Sequence, residues 1–165
     1  MRNATIHIPA PLSDTCLDTM HTLGLDPADC RCIASTTKTT VVAPESGLVL
    51  MVPERGTCAD GVSTQETLDR VLPYLEGLPH KAVGVMLIDH LVDQARTARL
   101  AHLGAPATAY WDALVLVGDT PLARAIAAFF AASLRSVHPV FVASDGAQGL
   151  AHARRRLQEL RAGPA

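Results

Sequence analysis

An α/β fold is predicted by three features of the sequence. Two β-branched runs separated by turn residues read as a hairpin, apolar strand-length runs then alternate with helix-period segments, and Gly or Pro punctuates the joints. The expected architecture is one mixed sheet, the hairpin followed by parallel strands, with its helices packed against it. The hairpin is Thr36–Val42 and Leu48–Val52, joined by Ala43-Pro44-Glu45-Ser46-Gly47. The parallel strands are Ala82–Asp89, a continuous apolar run of the kind buried on both faces, then Ala113–Val117 and Val140–Ala143.

Residues 1–34 read as an extension in front of a domain spanning 35–161, which is expected to fold without it. Within the extension, Thr5–Ile8 is a candidate short strand. Ser13 can cap a helix carrying Leu17, Met20 and Leu23, with Leu12 and Leu17 as a hydrophobic staple. Gly24 suits the left-handed residue after that helix, and Asp26-Pro27 suits a cap with a first-turn proline. In the domain, Ser63-Thr64-Gln65-Glu66 has capping-box spacing and opens a helix with Leu68, Val71, Leu72 and Leu75 on one face. Pro73 should kink or split that helix, because it removes a ladder hydrogen bond, and Gly77 and Pro79 end it. Val92–Leu103 is the next helix, with Ala95, Leu100 and Leu103 inward. Leu122, Ala125, Ile126, Phe129 and Phe130 follow amphipathic spacing behind a cap at Asp119 or Thr120 and an early Pro121. On that spacing Phe129 is expected in the core. A last helix runs from about Ala147 to Arg161.

Composition narrows the function classes. The chain has 165 residues, 48% of them apolar, and 14 basic against 16 acidic side chains. Charged residues make up 18%, below the roughly 25% usual for soluble domains, and the 26 alanines bury little area each. Neutral surface and self-association are the consequence expected. A net charge of −2, with two Lys against twelve Arg, leaves no basic surplus for a phosphate backbone, so nucleic acid is not an expected partner. No run approaches the roughly 20 apolar residues of a membrane span, and Met1–Pro9 lacks the apolar segment of a signal peptide. The cytoplasm is the expected compartment, and no membrane insertion is expected.

Candidate chemistry gathers at strand ends. Asp89-His90 closes a central strand, where open α/β sheets bind ligands, and Asp93 lies four residues beyond Asp89. Two carboxylates could hold a cation or act as acid and base, with His90 as proton shuttle; the simpler role for Asp89 is to cap backbone amides in the loop. Gly118-Asp119-Thr120-Pro121 occupies the equivalent end of the next strand, where a helix N-terminus could hold an anion. Asp119 would repel phosphate there, which leaves capping. Cys30 and Cys32 are one residue apart, too close for the usual zinc spacing, and no metal or cofactor is expected from them, from Cys16 or from Cys58. No Gly-rich phosphate loop, nucleophile elbow or His-x3-His spacing occurs, so an enzyme is not expected. Arg154-Arg155-Arg156, near the end of the last helix, reads as a solvated, dipole-compatible helix end.

From about Met86 onward the sequence resembles the STAS/SEC14-like domain family, relatives of bacterial anti-sigma-factor antagonists. The resemblance is carried by Val85-Met86-Leu87-Ile88-Asp89, Asp93 to Arg99, Ala113 through Arg124, Ile126-Ala127-Ala128-Phe129-Phe130 and Pro139-Val140-Phe141-Val142. With the hairpin and first domain helix it covers about two-thirds of the chain. It implies a STAS-like mixed sheet of four to five strands, with helices packed mainly on one face, and a function in protein binding. Antagonists of that family carry a phosphorylatable serine after the central strand. Here the stretch Asp89 to Thr97 has only Thr97 as a hydroxyl, so a serine phosphoswitch is not expected.

The resulting expectation is a non-enzymatic protein-interaction module in a regulatory or localisation complex. Its surface would comprise Asp89, His90, Asp93, Gln94, Arg96 and Arg99, with Gly118, Asp119 and Thr120 beside them. The alternative is a small-molecule or lipid sensor with a pocket at the same sheet edge. A homodimer is expected as well, because Thr36–Val42 would leave an open strand edge that a second copy could pair with.

Overall fold

The computed structural model describes residues 11–134 and 137–163; the expected strand Thr5–Ile8 lies outside them. Ser13 accepts a hydrogen bond from the Cys16 amide and starts helix α1 (Asp14–Thr22). Gly24 follows at φ +67°, a left-handed conformation that glycine adopts without a Cβ clash. Asp26 then caps a single 3₁₀ turn beginning at Pro27. Strands β1 (Arg31–Ser35), β2 (Thr39–Glu45) and β3 (Leu48–Pro53) run antiparallel, and the expected hairpin is β2–β3.

After the short strand β4 (Thr57–Ala59) comes helix α2 (Gly61–Glu76). Its capping box is Asp60 with Ser63, three residues earlier than the Ser63–Glu66 spacing suggests. The Asp60 carboxylate accepts the Ser63 amide at 2.8 Å and pairs with Lys38 at 2.5 Å, so it serves as cap and ion-pair partner together. The Lys38 hydrogen bond, then the Ser63 amide, lowers its pKa to about 2. Nor is α2 split at Pro73: the helix continues unbroken to Glu76.

Strand β5 (Ala82–Leu87) stops two residues short of Asp89, because Ile88–His90 coils into a 3₁₀ turn. Leu91–Gln94 is then not a helix start but strand β6, which pairs in parallel with β4 as a two-stranded ribbon. Helix α3 consequently begins only at Arg96 (Arg96–Gly104). Strand β7 (Trp111–Val117), helix α4 (Pro121–Leu134), strand β8 (Val140–Ala143) and helix α5 (Gly146–Ala162) complete the chain.

The main sheet has six strands in the order β1-β2-β3-β5-β7-β8, rather than the four to five expected. From β3 onward the strands are parallel. Right-handed crossovers that always step the same way leave α2, α3 and α4 on one face. Helices α1 and α5 cover the opposite face, so helices pack on both sides and not mainly on one. Continuous apolar strands require this: in β5, Val83 and Val85 point into the α1/α5 face while Ala82 packs on the other. On the α5 side the approach is close, since a Cβ on Gly149 would sit 2.5 Å from Val117 Cγ2.

Residues 11–34, read from sequence as an extension, supply α1 and the edge strand β1. Cys16 and Met20 are fully buried among Val42, Leu48, Leu50 and Val52. With β1 in place, β2 is paired on both sides, so Thr36–Val42 is not an open edge. The outer strands are β1 and β8. In α4 the buried stripe is Ala123, Ile126, Ala127, Phe130, Ala131 and Leu134, one residue out of step with the expected one. Phe129 is 67% exposed and outside the core. Among the described residues, no helix is long and apolar enough to cross a membrane.

Candidate functional site

The C-terminal ends of β3, β5, β7 and β8 lie along one rim of the sheet, and the sequence-selected residues divide around it. Asp89 sits just past β5 and reaches the neighbouring loop. Both of its carboxylate oxygens lie 3.1 Å from the Asp119 amide, and Oδ1 also accepts from the Thr120 amide at 3.4 Å. Capping is thus its role in the structure, though of the next strand's loop rather than its own. Thr120 in turn accepts the Ala123 amide at 3.1 Å and caps α4. Gly118 is tightly enclosed, since a Cβ there would lie 2.6 Å from that of Ala123. Asp89, His90 and Asp119 line a shallow cleft of about 370 Å³ with Arg55 and Asp145. Its carboxylates give it an acidic wall, but among the described residues no group of three or more His, Cys, Asp or Glu is placed to hold a metal ion.

His90 is tied to the end of β3. Its Nδ1 lies 2.8 Å from the Pro53 carbonyl oxygen; a carbonyl only accepts, so Nδ1 carries the hydrogen. The His90 carbonyl accepts the Gly56 amide at 2.9 Å. Asp93 and Gln94 belong to β6, and Arg96 and Arg99 to α3, so these four lie on the ribbon and its following helix instead of in the cleft. The Asp93 carboxylate faces Cys58 of β4 at 4.0 Å. Lys38, in the turn between β1 and β2, donates to the Cys58 carbonyl of the ribbon, and the Gly61 amide that opens α2 donates to Thr97 Oγ1 of α3 at 3.1 Å.

Under this ribbon lies a cavity that no motif indicated. Met51 and Pro53 of β3 and Met86 of β5 form its floor, Leu91 of β6 its roof, and Thr67, His102 and Phe130 its helical wall. His102 is 1% exposed and its Nε2 has no hydrogen-bond partner. Burial, with a smaller contribution from His138, lowers the His102 pKa to about 4, so the ring is neutral near pH 7. His138 packs edge-on at 5.8 Å between ring centroids, is also pushed down by burial, and has an unpartnered Nε2 of its own. A single histidine on a helix carries no spacing signal; only the fold brings it to the same cavity as two methionines from neighbouring strands.

A second feature is the outer edge of β8. Val142 is 51% exposed and Phe141 leans on His152 of α5 with centroids 4.3 Å apart. A groove of about 530 Å³ runs between β8 and α5, lined by Val115, Phe141, Gln148, His152 and Arg155. On the other side α4 packs against β8 and turns Leu122, Ala125, Ala128 and Phe129 outward. This surface was hidden from sequence reading because α4 is apolar nearly all round.

The remaining candidates are structural. Burial raises the Cys30 and Cys32 thiols, Asp29 adding to the rise at Cys30, and raises Cys16 to about 12. The arginines of α5 do not form a purely solvated end. Arg154 and Arg161 pair with Glu45 at 3.2 and 3.1 Å, and Arg156 forks onto Asp112 at 2.6 and 3.2 Å. In comparisons with known proteins, no protein-family model, no curated protein and no solved structure matches this chain.

Proposed function

We propose that the chain is a non-enzymatic protein-interaction module that docks a protein partner along β8. The observation that carries this reading is the apolar edge itself. Strand β8 is the outermost of the parallel strands, its Phe141 and Val142 are exposed, and Leu122 and Phe129 of the adjoining α4 are exposed too. Strand addition suits such an edge: backbone groups give affinity, and the groove beside α5 receives alternate side chains. The chain's slight negative charge and the engagement of Asp89 in capping support a protein rather than a nucleic acid as partner. The resemblance to STAS-like domains points the same way. Thr97 accepts a hydrogen bond from the Gly61 amide, which supports a module without a phosphoswitch at that position.

The test is affinity capture with the wild-type chain and with a Phe129→Ser/Val142→Asp double variant whose fold is checked by circular dichroism. The wild type should retain a defined partner that the variant loses. Capture of the same proteins by both, or of none by either, would refute the reading. Light scattering identifies the case in which the partner is a second copy: a wild-type dimer that becomes a monomer of 17.4 kDa in the variant.

A further inference from the structure

The cavity beneath the β4–β6 ribbon lies apart from the β8 edge and is built differently. Its body is apolar, with Met51, Met86, Leu68, Leu91 and Phe130 around it. Its one cationic lining residue among those described, Lys38, is already neutralised by Asp60 at 2.5 Å. An anionic ligand would therefore find no available counter-charge, and a charged ligand of either sign would lose its hydration without recompense. One polar atom is unaccounted for: Nε2 of His102, buried and without a hydrogen-bond partner. Buried polar groups are paired in the great majority of cases, so an orphan on a cavity wall calls for a partner.

We infer that this cavity binds a small neutral aromatic molecule bearing one hydroxyl or ring N–H, of the phenol or indole class, whose polar group pairs with His102 Nε2. The two methionines suit the ring, because thioethers make favourable contacts with aromatic edges. They also supply the room. The resting cavity offers about 50 Å³, and unbranched Met side chains can swing aside where branched ones could not. The ribbon is the natural point of entry, because it is a short two-stranded element, β4 of three residues and β6 of four, that lines the cavity through Thr57, Ala59 and Leu91. A neutral imidazole can accept from a phenol hydroxyl or an indole N–H according to its tautomer.

The methionines also provide the measurement. In the full chain labelled with ¹³C at the methionine methyls, Met51 and Met86 report the cavity, and Met20, buried on the opposite face, is an internal control. Titration with phenol should shift Met51 and Met86 saturably and leave Met20 unmoved, while benzoate should shift none of them. His102→Leu should weaken phenol binding about tenfold, the order expected for one buried hydrogen bond, and leave toluene binding unchanged. If His102→Leu fails to keep the Met20 signal of the folded chain, Leu91→Trp replaces it. That variant fills the cavity from the ribbon side and should abolish the phenol response. The inference is overturned if phenol leaves Met51 and Met86 unshifted, if benzoate binds as well as phenol, or if neither variant alters the response.

Discussion

The two faces of the sheet solve the same packing problem with different chemistry. Beneath α1 and α5 the strands present Leu48, Leu50, Val83, Val85, Val115 and Val117, and the helices return Cys16, Met20, Leu150 and Leu157. None of the buried side-chain nitrogens or oxygens left unpaired among the described residues lies in that layer. Beneath α2, α3 and α4 the layer holds the cavity, and His102, Trp111 and His138 each leave a ring nitrogen unpaired. Unpaired buried polar groups are destabilising by about 1–3 kcal/mol each. The first face is organised for stability, whereas the second tolerates local cost where the ribbon and strand ends gather. The same contrast separates a dry wall from a wall able to receive a ligand.

The comparison can be broken most severely from the dry side. A chain starting at Ser35 lacks α1 and β1, uncovering Val42, Leu48 and Leu50 and opening the edge of β2. Thermal unfolding of that chain should show no cooperative transition. Met20→Ala, at a fully buried position, should lower stability by about 2–5 kcal/mol in denaturant unfolding. On the other face the sharpest effect should come from pH. His102 has a folded pKa of about 4 against 6.5 when unfolded. Its contribution is constant above pH 6.5 and is lost as pH falls through the window from 6.5 to 4, where only the unfolded chain takes up the proton. The loss should be of order 3 kcal/mol, with His138 adding to it in the same direction. His102→Leu should flatten that part of the pH–stability curve.

Smaller effects sharpen the boundary between core and surface. Arg156→Ala removes a forked pair with Asp112 at the start of β7. The Arg156 side chain is 36% exposed, so solvent screens the pair, and the cost should be about 1 kcal/mol and should shrink in high salt. Phe129→Ala should change stability by no more than about 0.5 kcal/mol, since its ring is exposed, while partner capture falls. A larger loss of stability would place Phe129 in a packed interior and weaken the case for α4 as a docking surface.

Strand-length apolar runs were the most legible part of the chain, because burial on both faces leaves a continuous signal, as in Ala82–Leu87 of β5 and Ala113–Val117 of β7. Local capping was legible at Ser13 and Asp26, where one side chain serves one amide. It misled at Ser63, because Asp60 competes for the same role with help from Lys38, twenty-two residues away. In α4 the hydropathy pattern could not choose between two stripes. Alanines at 123, 127 and 131 allow the helix to lie close on the sheet, so the aromatic at 130 goes inward and the one at 129 outward. The ribbon was illegible for a different reason: Thr57–Ala59 is too short to stand out, and its partner Leu91–Gln94 runs straight into helical sequence. Asp89, His90 and Asp119 do meet in one cleft, as their strand-end positions suggest. Asp93, Gln94, Arg96 and Arg99 follow the ribbon away from it. The cavity left no trace in spacing, since its walls come from eight separate elements, β2 to β6 and α2 to α4.

Because each strand of the main sheet lies beside the main-sheet strand that precedes it in sequence, with β4 and β6 set aside in the ribbon, the sheet can extend one strand at a time as the chain is synthesised. The crossover helices α2, α3 and α4 cover their face as each strand is added. The opposite face has no such escort over its central strands. Val83, Val85, Val115 and Val117 stay uncovered until α5, the last element, has emerged. A nascent or C-terminally shortened chain therefore displays a valine-rich surface at the moment its sheet is otherwise complete, and transiently exposed apolar surface of that kind is what draws partly folded chains into aggregation.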